Sequence, residues 1–314
     1  MKLSAFDLEA TGTGVDDAQV VQAAVVSAGV GRVRLRDLRS TESFSQANQN
    51  MSVGQRVELH STSEHVQLFH VPEIPRASTK VHGITAEQVA DCKPFGRCVV
   101  SFSRALTVRG VVAVSFNGCR YDVAVIARYL LARELALYER EHGKKPAAGA
   151  PPRPTQEAIE LRLRKRHVDV YRLWQRVRRS KSRANCYAGS LSGAHLYYTG
   201  EEFDGAHDAA VDCTATLRVL DCMLREGDVP DVDTAIAWSN KPLPGDVDFA
   251  GKFRWDVDQA VFAFGKHRDE PLESKAAAGF LTWMLGKDFS PETKRMIKRY
   301  QAGEYPAREY ENEV

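Results

Sequence analysis

The stretch Leu3-Ser4-Ala5-Phe6-Asp7-Leu8-Glu9-Ala10-Thr11-Gly12 decides how this chain is read. Leu3 to Leu8 has the apolar content and length of a strand. Side chains two apart on a strand share a face, so Asp7 and Glu9 leave the sheet together. Adjacent carboxylates repel unless something cationic lies between them. Alone, such a pair also has an ordinary explanation, a solvated strand end.

Two further words extend the pattern. Asn117-Gly118-Cys119-Arg120-Tyr121-Asp122 follows Val111–Phe116, an apolar run typical of a central strand buried on both faces. Asp122 opens a long helix with Val123, Ile126, Ala127, Leu130 and Leu137 on one stripe. The helix dipole is an alternative reason for that acid, and Asn117-Gly118 can be a simple turn. Yet the C-terminal edge of a strand is where open α/β sheets place ligands. The third word is Ala206-His207-Asp208-Ala209-Ala210-Val211-Asp212, with a helix expected from His207 onward. Five residues turn a helix by about 140°, so His207 and Asp212 do not share a face. Asp212 sits one turn in, and His207 stays free at the edge. A lone histidine there is otherwise a surface or capping group. All-oxygen ligands such as these acids favour magnesium or manganese over zinc.

The rest of the chain sets bounds. Its 314 residues suffice for one large domain and a small one. A net charge of +2 means that affinity for a polyanion must come from local patches. No apolar run approaches membrane-spanning length, and the first residues do not read as a secretory signal. Six cysteines without a CxxC pair argue against a disulfide framework or a zinc site. They fit an intracellular, reducing compartment, cytoplasm or nucleus.

Strands are expected at 19–28 and 31–38, making an antiparallel meander with the first. Residues 40–66 read as a long loop and 142–155 as a flexible insertion. Thr85 and Gln88 form a capping box. His167 to Leu173 is a short strand or a strand-to-helix passage. Arg162–Arg183 carries ten basic residues and one acid, with Tyr171 and Trp174 interleaved. That suits a strand-binding face, a solvated helix whose Tyr171, Trp174 and Val177 point to the core, or a nuclear localisation signal. The expected division is 1–226, a linker over 227–248, and a small α+β module over 249–314. The module has a hairpin in 253–264 and helices near 280–285 and 291–300. The element order implies an α/β mixed sheet with helices packed on it.

FDLEATG, NGCRYD and HDAAVD resemble the three motifs of the DEDDh 3′–5′ exonucleases, the superfamily of the DNA polymerase III epsilon subunit. Val81-His82-Gly83-Ile84-Thr85 resembles that family's segment after its third strand. The NGxRYD spelling is similar to the mammalian three-prime repair exonucleases. Most proofreading subunits have HNAxFD; here Phe116 replaces the histidine, and one extra residue separates Asn117 from Asp122. The resemblance covers 1–226. It implies a ribonuclease H-like fold with a five-stranded mixed sheet flanked by helices. It implies Asp7, Glu9, Asp122 and Asp212 as ligands of two Mg2+, with Mn2+ able to substitute, and His207 as general base. Nucleoside 5′-monophosphates would leave one at a time from a 3′ end. Leu8, Ala10, Thr11, Ile84 and Asn117 would contact the terminal nucleotide, although Ile84 equally suits core packing and Asn117 a turn. Single-stranded DNA is the expected partner, with no membrane. RNA trimming by the same residues and a non-catalytic, polymerase-associated binding module are the alternatives. A polymerase or homodimer partner stays open. The C-terminal piece resembles a module appended to some bacterial exonucleases, which usually have Gly where Asp269 stands. Its aromatic residues suit a minimal core or a base-stacking platform, and Lys266, His267 and Arg268 are candidate phosphate contacts.

Overall fold

The computed structural model describes residues 1–34, 53–143, 154–287 and 289–306. The expectations for 35–52 and 144–153 lie outside the described residues. The first strand, β1 (Lys2–Ala10), alternates as its sequence demands. Leu3 and Ala5 enter one core, whereas Phe6 and Leu8 enter the other. Asp7 and Glu9 therefore continue the Leu3–Ala5 face. The next strand, β2 (Val20–Arg34), runs antiparallel to β1 and pairs Asp7 with Ala24 and Glu9 with Gln22.

The expected third strand at 31–38 is corrected. Residues 31–34 continue β2, and the third strand is β3 (Val53–Leu68), inside the stretch read as loop. The reason lies in its position at the sheet edge. Residues 62–66 are all exposed, and four of these five are polar, so no apolar period marks them.

Helices α1 (Arg76–His82), α2 (Ala86–Val89) and α3 (Val99–Thr107) follow. The capping box at α2 is present, with the Thr85 N–H donating to Gln88 Oε1 at 2.7 Å. The buried strand β4 (Val111–Ser115) lies parallel to β1. Then come α4 (Asp122–His142), α5 (Gln156–Arg164), β5 (His167–Asp169), α6 (Val170–Ser180), α7 (Ser182–Asn185), α8 (Leu191–Thr199), α9 (Ala209–Glu226) and α10 (Val232–Ser239). The sheet order is β3-β2-β1-β4-β5, antiparallel through β3, β2 and β1 and parallel through β1, β4 and β5. Apolar residues of α3, α4 and α5 fill one face, and those of α6, α8, α9 and α10 the other. This is the α/β arrangement expected of a ribonuclease H-like fold.

The chain divides into compact units at 1–239 and 240–314. The expected linker over 227–248 is thus corrected for its first half. Val229, Val232 and Ala235 are fully buried, and Ser239 Oγ accepts the Asp169 N–H at 2.8 Å. The acidic, proline-marked composition of this stretch masks one apolar helix face.

The second unit pairs β6 (Phe253–Asp256) with β7 (Gln259–Phe262) and adds α11 (Lys275–Leu285) and α12 (Pro291–Gln301). Asp248 ties it together, accepting from the Lys252 and Phe253 N–H groups and from Thr293 Oγ1. Asp269 has φ of 69°, the left-handed conformation that favours glycine, and its carboxylate meets Arg254 at 2.8 Å. The turn thus forms in the left-handed conformation with an aspartate at this position. All six cysteines are free, and no helix among the described residues is long and apolar enough to cross a membrane.

Candidate active site

Three elements converge at the C-terminal edge of β1. The pleat of β1 turns Asp7 and Glu9 toward the face that α9 covers. The start of α9 is fixed there because the Ala209 N–H donates to Gln22 Oε1 on β2. Asp208 is its N-cap, accepting from Ala210 N (2.9 Å) and Val211 N (3.3 Å). Such a cap contributes ~1 kcal/mol. It places Asp212 in the first turn.

The expectation of a helix from His207 is corrected. His207 precedes the cap, is exposed, and has φ of 72°. The side chain of Asp208 takes the cap position and leaves His207 in the turn outside the helix. The His207 N–H donates to Asp212 Oδ2 at 3.2 Å.

Asp122 reaches the site by another route. After β4 the chain must turn sharply into α4. Asp169 on β5 accepts from Asn117 N (2.8 Å), Cys119 N (3.1 Å) and Tyr171 N (3.1 Å). Ser115 Oγ accepts from Gly118 N at 3.1 Å and pairs with His167 Nε2 at 2.8 Å. A Cβ on Gly118 would lie 2.3 Å from Ser115 Oγ and 3.2 Å from Asp122 Oδ2, so the turn has room only for glycine. Burial pushes His167 down to about 3, which keeps its ring neutral beneath the turn. The backbone of Leu8 faces the Asp122 carboxylate and partly offsets the effect of its burial.

Crowding of like charges marks the site. Burial first, then Asp122, Glu9, Asp212 and Asp208, raise Asp7 well above the ordinary carboxylate range. Burial, followed by Asp212, Asp122 and Asp208, pushes Glu9 up to about 8. Burial also pushes Asp122 up to about 7 and raises Asp212. Asp122 Oδ1 and Asp212 Oδ1 are buried with no hydrogen-bond partner. Ligand atoms of Glu9, His207 and Asp212 all lie within 4.8 Å of one another. Unpartnered carboxylate oxygens facing an excess of negative charge fit a hard divalent cation.

The other sequence candidates divide. Leu8 buries its side chain in the core and offers the site only its backbone. Ala10 and Thr11 are half-buried at the strand end, where Thr11 Oγ1 accepts from Gln19 N and Thr11 O accepts from Ser78 Oγ. Ile84, 8% exposed, packs with Val21, Val71 and Val89, so its surroundings are those of core packing. Asn117 has φ of 66° and shapes the turn through its N–H.

Sequence reasoning missed three residues here. Tyr121 Oη donates to Gly12 O at 2.5 Å and Arg128 donates to Asp16 O and Ala18 O, so α4 holds the strap after β1. His82 accepts from Ile84 N at Nδ1, and burial and then the neighbouring His207 lower its pKa. Its position within the VHGIT word was the available signal. The basic segment turns its apolar side inward, while Arg162, Lys165, Arg166, Arg179 and Arg183 are exposed. Trp174 and Val177 are buried, Arg176 lies over Trp238 (4.3 Å), and Lys181 pairs with Asp228.

No family model matches the chain, and no curated protein matches it. Among solved structures, it is similar to Escherichia coli exonuclease I in complex with a dT13 oligonucleotide, at 13% identity and a TM-score of 0.47, over 71% of this chain and 40% of that one. It is also similar to a moderately thermophilic exonuclease I from Methylocaldum szegediense, at 14% identity and a TM-score of 0.46, over 74% of this chain and 41% of that one. The chain thus spans less than half the length of either.

Proposed function

We propose that this protein is a divalent-metal-dependent 3′–5′ exonuclease that removes nucleoside 5′-monophosphates from single-stranded DNA. One observation carries the proposal: Asp7, Glu9, Asp122 and Asp212 crowd together with two unpartnered buried oxygens, and His207 stands at their exposed rim. The sequence resemblance to the DEDDh exonucleases supplies the direction and the substrate class.

The four carboxylates would hold two Mg2+, with Mn2+ able to substitute. When bound, such ions lower the pKa of a water and offset charge on the attacking and leaving oxygens of an in-line displacement. His207 takes the proton of the attacking water, a role for which imidazole is the usual side chain. The broken bond is that between phosphorus and the 3′ oxygen of the preceding nucleotide. The β4–α4 turn holds Asp122 in place, and the strand end at Ala10 and Thr11, with Asn117 opposite, borders the terminal nucleotide.

A gel assay tests the proposal. DNA and RNA single strands, labelled at the 5′ end, are incubated with Mg2+ or with chelator. A metal-dependent ladder shortening from the 3′ end of DNA is expected. Degradation of RNA alone would make this an exoribonuclease, and degradation of neither would leave a binding module.

A further inference from the structure

The aromatic residues of the second unit fall into two classes. Phe253 and Phe262 are fully buried and form its core with Leu272, Leu281 and Met284. Phe264, Phe280 and Phe289 are only half-buried, and Trp283 is 48% exposed. These four rings make one continuous patch. Phe280 and Trp283 stack nearly parallel, 11° apart with centroids at 5.0 Å. Phe264 lies 5.8 Å from Phe280 and 5.6 Å from Phe289, and Trp283 lies 6.1 Å from Phe289. Core formation accounts for the first class. It does not account for an indole left open on a ring patch that reaches the surface.

The rim of the patch is cationic. Lys252 Nζ sits 5.2 Å from the centroid of Phe264 and 6.0 Å from that of Phe289. Lys287 Nζ sits 5.7 Å from the centroid of Trp283. Among the described residues neither ammonium group has a carboxylate partner. The acids of the neighbouring turn are already engaged, Glu270 with His267 and Asp269 with Arg254, each at 2.8 Å. Lys266 in that turn is exposed. Flat rings interleaved with unpaired ammonium groups match a ligand that alternates flat rings with anions. An unpaired nucleic-acid strand has that alternation, with bases for the rings and phosphates for the lysines.

We propose that this face is a docking platform for single-stranded DNA, with bases stacking on Trp283 and its neighbours and phosphates meeting Lys252 and Lys287. The choice of DNA rests on the proposed exonuclease activity; the residues of the platform belong to the second unit and the carboxylates to the first.

The test uses the full chain in chelator, where the strand stays intact, and a fluorescein-labelled dT20 followed by anisotropy. Trp283→Ala is expected to weaken binding roughly tenfold, the scale of one lost base stack, and Trp283→Phe to keep most of the affinity. Quenching of tryptophan fluorescence by dT20 should shrink in Trp283→Phe. Lys252→Ala with Lys287→Ala should lower the slope of log affinity against log salt by about 1.4, roughly 0.7 for each phosphate contact on a single strand. Cleavage of p-nitrophenyl thymidine 5′-monophosphate, which carries a single nucleotide, should stay at the wild-type rate in all these variants. Wild-type affinity in Trp283→Ala and a wild-type salt slope in the lysine pair would overturn the proposal, as would binding of an RNA 20-mer in place of dT20. If Trp283→Ala melts early, the quenching and the lysine pair decide. A chain that cleaves nothing yet binds dT20 through Trp283 would sink the exonuclease reading and leave the platform standing.

Discussion

Asp122 and His207 border the same site and are held in opposite ways. Asp122 is 5% exposed and follows a turn pinned by Asp169, Ser115 and a glycine that admits no side chain. His207 is exposed on a left-handed residue, and its ring makes no hydrogen bond among the described residues. The difference follows from what each group has to withstand. Carboxylates that must stay close repel one another, and only a scaffold with no slack keeps them there. In the proposed mechanism His207 exchanges a proton with a solvent-derived water, a task that has no such opponent and needs access to solvent.

The sharpest way to break this contrast is to compare both residues directly. Asp122→Asn is expected to lower turnover about a thousandfold, the equivalent of ~4 kcal/mol of transition-state stabilisation. It should also weaken Mn2+ binding in a calorimetric titration. His207→Ala should lower turnover by about a hundredfold to ten-thousandfold while metal binding stays nearly intact. Equal loss of metal affinity in the two variants would make His207 a ligand and erase the distinction.

The rigid half can be tested through its packing. Gly118→Ala should destabilise the fold by about 1–3 kcal/mol in thermal melts, because the new methyl group overlaps Ser115. Gly12→Ala, whose added Cβ meets nothing within 4 Å, should melt like wild type. Equal melting of the two variants would mean that the turn has slack after all.

A smaller effect should appear with pH. Glu9 and Asp122 have folded-state pKa values of about 8 and about 7, above their ordinary values. Folding therefore takes up protons, and their contribution is full below the unfolded pKa, near 4.5 and 3.8. It is lost as pH rises through about 7 to 8. In chelator the melting temperature should fall by a few degrees between pH 5 and pH 8, and Mg2+ should restore more of it at pH 8 than at pH 6. A flat profile in chelator would show that neither burial nor neighbouring negative charge disfavours the ionised carboxylates.

Much of this was legible from one dimension. The pleat of β1 dictates that Asp7 and Glu9 share a face, and the apolar run of β4 dictates a central strand. The edge strand β3 was not legible, because its outer side faces water and leaves no alternation to read. Helix α10 was hidden by acidic and proline residues around a narrow apolar stripe. The cap at Asp208 was missed because two adjacent residues, His207 and Asp208, can each begin a helix. Only the hydrogen bonds to Ala210 and Val211 choose between them.

By itself the sequence determined the local geometry: which acids share a strand face, and which apolar run makes the strand beside them. These follow from period and covalent chemistry within a few residues. Only the tertiary structure decided which side chains stand alone. It left oxygens of Asp122 and Asp212 without partners, buried Ile84, and turned the apolar face of the basic helix inward. In the second unit it separated Trp283 from a core that took Phe253 and Phe262. Burial and pairing depend on segments far apart in the chain, and no local pattern carries that information.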